Sequence, residues 1–279
     1  MPKRPAHPLI FTDLDGTLLD HESYSAKPAD RLIEQIIGQS IGSVIPITSK
    51  TRAELQSLQE SIPLRAMMSV TENGSVILIP QGTAFAGFTG PQHVLSGLGY
   101  GEILERIDGL PPALRQQIRG FSDMSATEVS KATGLELQQA LLAKQRDASE
   151  PFLWSGSDGA MQELSAIMAE AKIRIQRGGR FYHFTGDANK AQAMARIQGS
   201  FADQQEADCE FISIALGDGP NDLEMIESAD RGVIMPNPGG VSINSSKPHV
   251  RMAPAPGPKG WVLAIQELFS ELGIILAES

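Results

Sequence analysis

Residues 9–19 read LIFTDLDGTLL: an apolar run, two carboxylates at Asp13 and Asp15, then Gly16 and Thr17. A short continuous apolar run fits a strand buried on both faces, and Leu9 to Thr12 has a suitable length. The acids then fall at its carboxyl end, where open parallel sheets place their ligands. Two carboxylates two residues apart can converge on one hard cation such as Mg²⁺. A carboxylate can also attack phosphorus to give an acyl phosphate, while a second protonates the leaving oxygen and later deprotonates water. Asp13 is the candidate nucleophile and Asp15 the candidate acid and base. Asp-x-Asp alone also suits an exposed turn; the buried strand before it and Gly-Thr after it favour a site.

Outward from this stretch, Leu32, Ile33, Ile36 and Ile37 have helical spacing, and Gly38 is a natural stop. Val44 to Ile47 forms a second strand. Thr51 and Glu54 make a capping box before a helix that aligns Leu55, Leu58 and Ile62. ENGSVILIP supplies a further strand from about Val76. This β-α-β-α-β order is that of a parallel sheet with right-handed crossovers. The last third alternates in the same way, with KAQAMARIQ as helix, FISIAL as strand, PNDLEMIESA as helix and GVIMP as strand. After APAPGPKG comes an amphipathic closing helix, WVLAIQELFSEL.

The middle, from about Thr89 to Thr185, reads differently. A helix and a proline-broken connection lead to two more helices, then strand, helix, strand, strand, which fits a small antiparallel α+β unit. The expected architecture is α/β. A Rossmann-like parallel-sheet core is built from residues 1–88 and 185–279, and a smaller α+β cap domain is inserted over residues 89–184.

Three further polar clusters fall at strand or helix ends of the core. Thr48-Ser49-Lys50 follows the second strand at a helix start, where hydroxyls and free N–H groups attract anions, although Ser and Thr are also ordinary caps. Lys190 opens the helix after the middle unit and could hold a phosphate and the nucleophilic carboxylate together as a point charge. GDGPND, residues 217–222, follows Phe211–Leu216. It offers Asp218 as a further metal ligand, Asp222 as a ligand directly or through water, and Asn221 as support for the phosphate or the acids.

Composition excludes several classes. A formal charge of −10 argues against a protein that coats nucleic acid, which needs a basic face. It does not exclude an anionic substrate, because a small pocket can be locally positive. The one cysteine, Cys209, cannot form an internal disulfide and reads as a small core residue. No run approaches the roughly 20 apolar residues of a bilayer span, and no signal peptide is visible, so no membrane partner and a cytoplasmic location are expected.

FTDLDGTLL, Thr48, Lys190 and GDGPND match in order the four motifs of the haloacid dehalogenase-like phosphatase superfamily. The position of the insert resembles the Cof-like branch, which carries an α+β cap there. VIPITSKTRAEL, TENGSVI, RGFSDMSATEVSKATGL, EPFLW, GGRFYHFTG and APGPKGW are similar to the mannosyl-3-phosphoglycerate phosphatase family. That resemblance implies hydrolysis of 2-O-mannosyl-3-phosphoglycerate to phosphate and mannosylglycerate, a compatible solute. It also implies Mg²⁺ as cofactor, on Asp13, the Asp15 backbone carbonyl and Asp218. Asn189 and Ala191 depart from the Asp-Lys-Gly that this family often has around its lysine.

Such a small-molecule substrate carries a phosphate, a carboxylate and a neutral sugar. Arg177 and Arg180, around Gly178-Gly179, could bring guanidinium and N–H groups to an anion. His183 lies on the next strand. Asn73 is expected to face the pocket, with Glu72 marking its sugar side. Ser49, Lys50 and Lys259 are candidate contacts from core loops. Trp261 could stack on a sugar but fits core packing better, as do Met67 and Met68. Two alternatives remain open. The substrate could instead be glucosyl-3-phosphoglycerate, sucrose phosphate or another hexose phosphate. The chain could also be a non-enzymatic phospho-acceptor, although such receiver-like modules are much shorter and lack an insert.

Overall fold

The computed structural model describes residues 7–60, 62–64, 67–81, 84–85, 88–89, 92–178, 180–203 and 210–277. The apolar run at the start forms β1 (His7–Thr12), followed by α1 (Ala29–Gly38), β2 (Ser43–Pro46) and α2 (Arg52–Leu58). The capping box is present: Thr51 Oγ1 accepts from Glu54 N, and Glu54 Oε2 accepts from Thr51 N.

The chain continues through β3 (Ser69–Thr71), a tight turn over Glu72–Gly74, and β4 (Val76–Ile79). The third parallel segment is β3, joined to the end of β2 through an Ile47–Val70 bridge. The ENGSVILIP strand is β4, and it runs back antiparallel to β3 instead of entering the main sheet. The turn at Glu72–Gly74 reverses the chain because both Glu72 (φ 52°) and Asn73 (φ 58°) adopt left-handed backbone, a conformation that spacing alone does not announce. Two short strands, β5 (Ala84–Phe85) and β6 (Phe88–Thr89), pair with each other, and β7 (Gln92–Leu95) pairs with β4. The segment just past residue 89 therefore still hydrogen-bonds to the core side.

The inserted unit holds α3 (Tyr100–Asp108), α4 (Pro112–Arg115), β8 (Ile118–Gly120), α5 (Ala126–Thr133), α6 (Leu137–Ala143), β9 (Ser149–Trp154), α7 (Asp158–Glu170), β10 (Ile173–Gly178) and β11 (Phe181–Gly186). Its sheet is antiparallel in the order β10-β11-β9-β8. The fourth strand, β8, escapes sequence reading because it is only three residues long and follows Pro111-Pro112. Alternation sorts the two faces of this sheet. Phe152 and Phe184, stacked with centroids 4.1 Å apart, face α3 and α7. Phe181 packs with Phe121 and the α5–α6 pair on the other face.

The chain returns to the core through α8 (Lys190–Asp203), β12 (Phe211–Gly217), α9 (Leu223–Ser228), β13 (Arg231–Ile234), β14 (Val250–Met252) and α10 (Gly257–Glu271). The core sheet is entirely parallel, in the order β14-β13-β12-β1-β2. Leu9 and Phe11 point to the layer of α8 and α9, whereas Ile10 points to that of α1 and α10. Burial on both faces is why β1 is continuously apolar. Trp261 is fully buried in the second layer and donates from Nε1 to Thr12 Oγ1 at 3.1 Å, which makes it core packing. Met67 and Met68 also pack in the core. Cys209 lies outside the described residues.

Candidate active site

The ends of β1, β2 and β12 and the start of α8 meet around four carboxylates and two ammonium groups. Lys190 is completely buried, yet its Nζ donates to Asp13 Oδ1 at 2.5 Å and to Asp222 Oδ1 at 2.6 Å. Burial alone would lower the lysine's pKa; Asp13 and Asp222 more than reverse this and hold it well above the ordinary value. Lys50, nearly buried, pairs with Asp15 Oδ2 at 2.8 Å. Burial opposes its charge too, but Asp15 and Glu54 raise its pKa to about 12.

Two ammonium groups do not balance four acids. Burial pushes the Asp13 carboxyl well above the usual carboxylate range; Lys190 pulls it back, and Asp222, Asp218 and Asp15 push it further up. Asp218 is raised to about 6, by burial first and Asp222 next. The Asp13, Asp218 and Asp222 side chains each place an oxygen within 4.8 Å of the others. A buried cluster of oxygen donors with excess negative charge fits a hard divalent cation.

Within this cluster the roles divide. Asp222 Oδ1 is on Lys190, and its Oδ2 accepts from the Asp218 and Gly219 amides at 3.1 and 2.9 Å. Oδ2 therefore braces the loop while Oδ1 holds Lys190. The Asp15 carboxylate lies outside the cluster, on Lys50, while its Oδ1 is buried with no hydrogen-bond partner among the described residues. Gly16 is required where it stands: its φ is +76°, and a Cβ there would come within 2.7 Å of Asp218 Oδ2.

Thr48 is buried at the end of β2; its Oγ1 accepts from Lys50 N at 3.2 Å, and its carbonyl accepts from Asn73 N at 2.9 Å. Asn73 Oδ1 accepts from Asn221 Nδ2 at 3.0 Å, which ties the β3 turn to the GDGPND loop. Asn73 Nδ2 is buried without a partner among the described residues. Gly74 lets this turn approach the start of α8, since a Cβ would lie 2.2 Å from the Asn189 carbonyl oxygen.

Asp13, Asp15, Ser49, Asn221 and Asp222 line a cleft of about 950 Å³ with Asp218. A second cleft of about 700 Å³ opens toward the inserted unit and contains Lys50 and His183; it shares Asp15, Tyr24, Ser49, Gly178 and Arg180 with the first. His183 is buried, and burial, then Arg146 and Lys190, lowers its pKa to about 3, so the ring is neutral. Arg180 lies at the cleft with Nη2 on the Thr133 carbonyl at 2.5 Å.

Three expected contacts are placed elsewhere, and these are corrections. Arg177 pairs across the strands with Tyr182 and lies over its ring, 5.6 Å from the centroid. It is thus on the sheet face opposite His183, because successive strand residues alternate. Lys259 is exposed on the first turn of α10 and lines neither cleft. Glu72 is fully buried and lines neither cleft; its carboxylate accepts from Asp147 N, Ala148 N and Ser149 Oγ, so it binds the inserted unit's backbone. Gly179 lies outside the described residues.

Other residues at the site gave no signal in the sequence. His21 Nε2 is 3.3 Å from Asp218 Oδ2, and Asn237 Nδ2 donates to the same oxygen at 2.6 Å. Arg146 enters the second cleft from the segment before β9. None belongs to a local pattern.

A parallel core with strand-end acids, a buried lysine and an inserted cap defines the haloacid dehalogenase-like hydrolases, and the chain belongs to this family. The family model described as haloacid dehalogenase-like hydrolase matches residues 162–240. The chain is 31% identical over 271 residues to a glucosyl-3-phosphoglycerate/mannosyl-3-phosphoglycerate phosphatase of Persephonella marina, covering 95% of this chain and 98% of the relative. It is thus a phosphatase of this family related to that enzyme. Solved structures carry the same fold. A haloalkanoate-superfamily phosphatase of Bacteroides thetaiotaomicron superposes with a TM-score of 0.67 at 12% identity, over 99% of this chain and 98% of that one. A subclass IIB sugar phosphatase gives 0.62 at 16% identity, over 96% and 100%.

Proposed function

We propose that this chain hydrolyses 2-O-mannosyl-3-phosphoglycerate to mannosylglycerate and phosphate through a phospho-aspartate on Asp13. The observation that carries this is the buried Lys190 ammonium on Asp13 Oδ1, which fixes one carboxylate in a cleft with acid groups around it. An oxygen of Asp13 bonds to phosphorus as the ester P–O bond breaks. The electron pair leaves with the substrate oxygen, which takes a proton from Asp15. Water then attacks the phosphorus and gives its proton to Asp15, and the bond to Asp13 breaks to release phosphate. Asp15 Oδ1, buried and unpartnered among the described residues, is the oxygen available for this exchange.

Thr48 and Lys190 position the phosphoryl group, with Ser49, Asn73 and Asn221 beside it. Asp13, Asp218 and the Asp15 carbonyl would hold Mg²⁺, and Asp222 orients both Lys190 and the 218–219 loop. The ion would supply positive charge against the oxygens of the transferring group. Lys50, Arg180 and His183 belong to the substrate side of the cleft. The partition into a core of 1–88 and 185–279 and a cap of 89–184 is part of this reading, the first cap strand β7 pairing with β4 of the core. A small-molecule substrate and a cytoplasmic setting are proposed as well; no helix among the described residues is long and apolar enough to cross a membrane.

Glucosyl-3-phosphoglycerate is the second reading, favoured by the name of the Persephonella marina relative, which includes both sugars. Comparing kcat/KM for the two epimeric substrates separates them. For the chemistry, Asp13→Asn should lower turnover by at least about 10³-fold, as for loss of a nucleophile. Full Mg²⁺-dependent activity in Asp13→Asn would overturn the phospho-aspartate.

A further inference from the structure

Three cations line the cleft beneath the inserted unit: Lys50, Arg146 and Arg180. Their circumstances differ. Lys50 is held by Asp15 at 2.8 Å. Arg180 is exposed and leans on a backbone carbonyl.

Arg146 is not exposed, and its acid contact is long. Its side chain keeps only 5% of its surface open, with the guanidinium 5.8 Å from the centroid of the Phe121 ring. Nε donates to the Ala143 carbonyl at 2.8 Å, and Nη1 to the Ser49 carbonyl at 3.1 Å and Ser149 Oγ at 3.4 Å. Among the described residues its one ion-pair contact is Nη2 to Glu54 Oε2 at 4.0 Å, and that oxygen already accepts from Thr51 N at 2.8 Å. A buried guanidinium held in place by neutral acceptors, with an edge left over, is a receptor for a planar anion. Its one acid contact among the described residues is distant and shared with Thr51 N, so an incoming carboxylate gains a close pairing that the fold does not supply.

Location selects the anion. Arg146 is bonded to Ser49, which lines both clefts and directly follows Thr48. In a 3-phosphoglycerate the phosphate-bearing C3 and the carboxylate C1 are separated by one carbon, and C2 carries the sugar. The neutral His183, whose Nδ1 is buried without a partner among the described residues, lines the same cleft and suits a hydroxyl better than an anion.

We propose that Arg146 is the specificity residue for the glycerate carboxylate, its Nη2 edge pairing with C1 while the phosphate lies at Asp13. This deepens the phosphatase reading above and rests on it. The sugar would then extend toward His183, and discrimination for the acid would be independent of which epimer is attached.

The test is a ratio. kcat/KM is measured for 2-O-mannosyl-3-phosphoglycerate and for the analogue whose carboxylate is reduced to CH₂OH, in the wild type, Arg146→Gln and Arg146→Lys. The wild type should prefer the acid on the order of a hundredfold or more, as expected for a buried charge pair. Arg146→Gln should bring the ratio close to one, and Arg146→Lys should restore part of it. If Arg146→Gln does not fold, the ratio in Arg146→Lys decides, an unchanged value counting against the proposal. Equal losses on both substrates, with the preference intact, would make Arg146 a structural brace and overturn it. A wild type that hydrolyses p-nitrophenyl phosphate but shows no preference for the acid overturns it too, while leaving the phosphatase chemistry standing. A wild type inactive on all three compounds overturns the phosphatase reading itself.

Discussion

Lys190 Nζ lies 2.5 Å from Asp13 Oδ1, although 177 residues separate the two in the chain. The pair joins the end of the first strand to the start of the helix that follows the insert, so it is a structural closure as well as a chemical one. With Asp222 it forms a buried triad in which one cation serves two acids.

Lys190→Met should therefore cost stability as well as activity. Removing one partner leaves two buried acids uncompensated, a loss of about 3–5 kcal/mol. Chemical denaturation checks this. Double replacement to Lys190→Met with Asp222→Leu should recover part of the stability but none of the turnover.

Divalent metal should stabilise the fold. Asp13 and Asp218 are carboxyls whose charged forms the protein disfavours, and a cation reverses that. At a hundred times the dissociation constant, Mg²⁺ should add about 2.7 kcal/mol by mass action. Thermal unfolding with and without a chelator reads the effect, and Asp218→Asn should remove most of it.

Glu72 should act as a latch between the core and the inserted unit. Its carboxylate takes three hydrogen bonds from residues 147–149, two of them from backbone amides. Arg52, on Asp147 at 3.1 Å, reinforces the same segment. Glu72→Ala leaves these donors unpaired, at about 1–3 kcal/mol for each one kept from water. Amide hydrogen exchange at 147–149 should accelerate; unchanged protection there would remove the latch.

Acid should weaken the protein through His183. Its folded pKa of about 3 lies below the ordinary 6.5, so the unfolded chain binds the extra proton between these values. The stability from keeping the ring neutral is present above pH 6.5 and is lost as pH falls toward 3. The slope is about 1.4 kcal/mol per pH unit for this one group. Denaturation of the wild type and His183→Gln across that window should show the wild type losing stability faster.

The chain's local patterns were enough for the α/β class, the strand-end position of Asp13 and Asp15, the capping box at Thr51, and the candidacy of Lys190 and Asp218. Each rests on neighbours within a few residues: an apolar run that must be buried on both faces, a cap three residues from its partner, a turn after a strand. The resemblance of four motifs in order then pointed to the family, and strand-end clusters in a parallel sheet fall on one side of it without any knowledge of packing. Tertiary structure alone decided the rest. Which face of β10 Arg177 occupies depends on register with β11, and a one-residue slip would reverse it. Glu72 became an anchor because the backbone of a distant segment arrives at its carboxylate. His21 and Asn237 meet on Asp218 from opposite ends of the chain. Arg146 belongs to no pattern in the sequence; folding buries it beside Ser49 with Glu54 4.0 Å away, since burial and charge balance are properties of the assembled cleft and of no local stretch of residues.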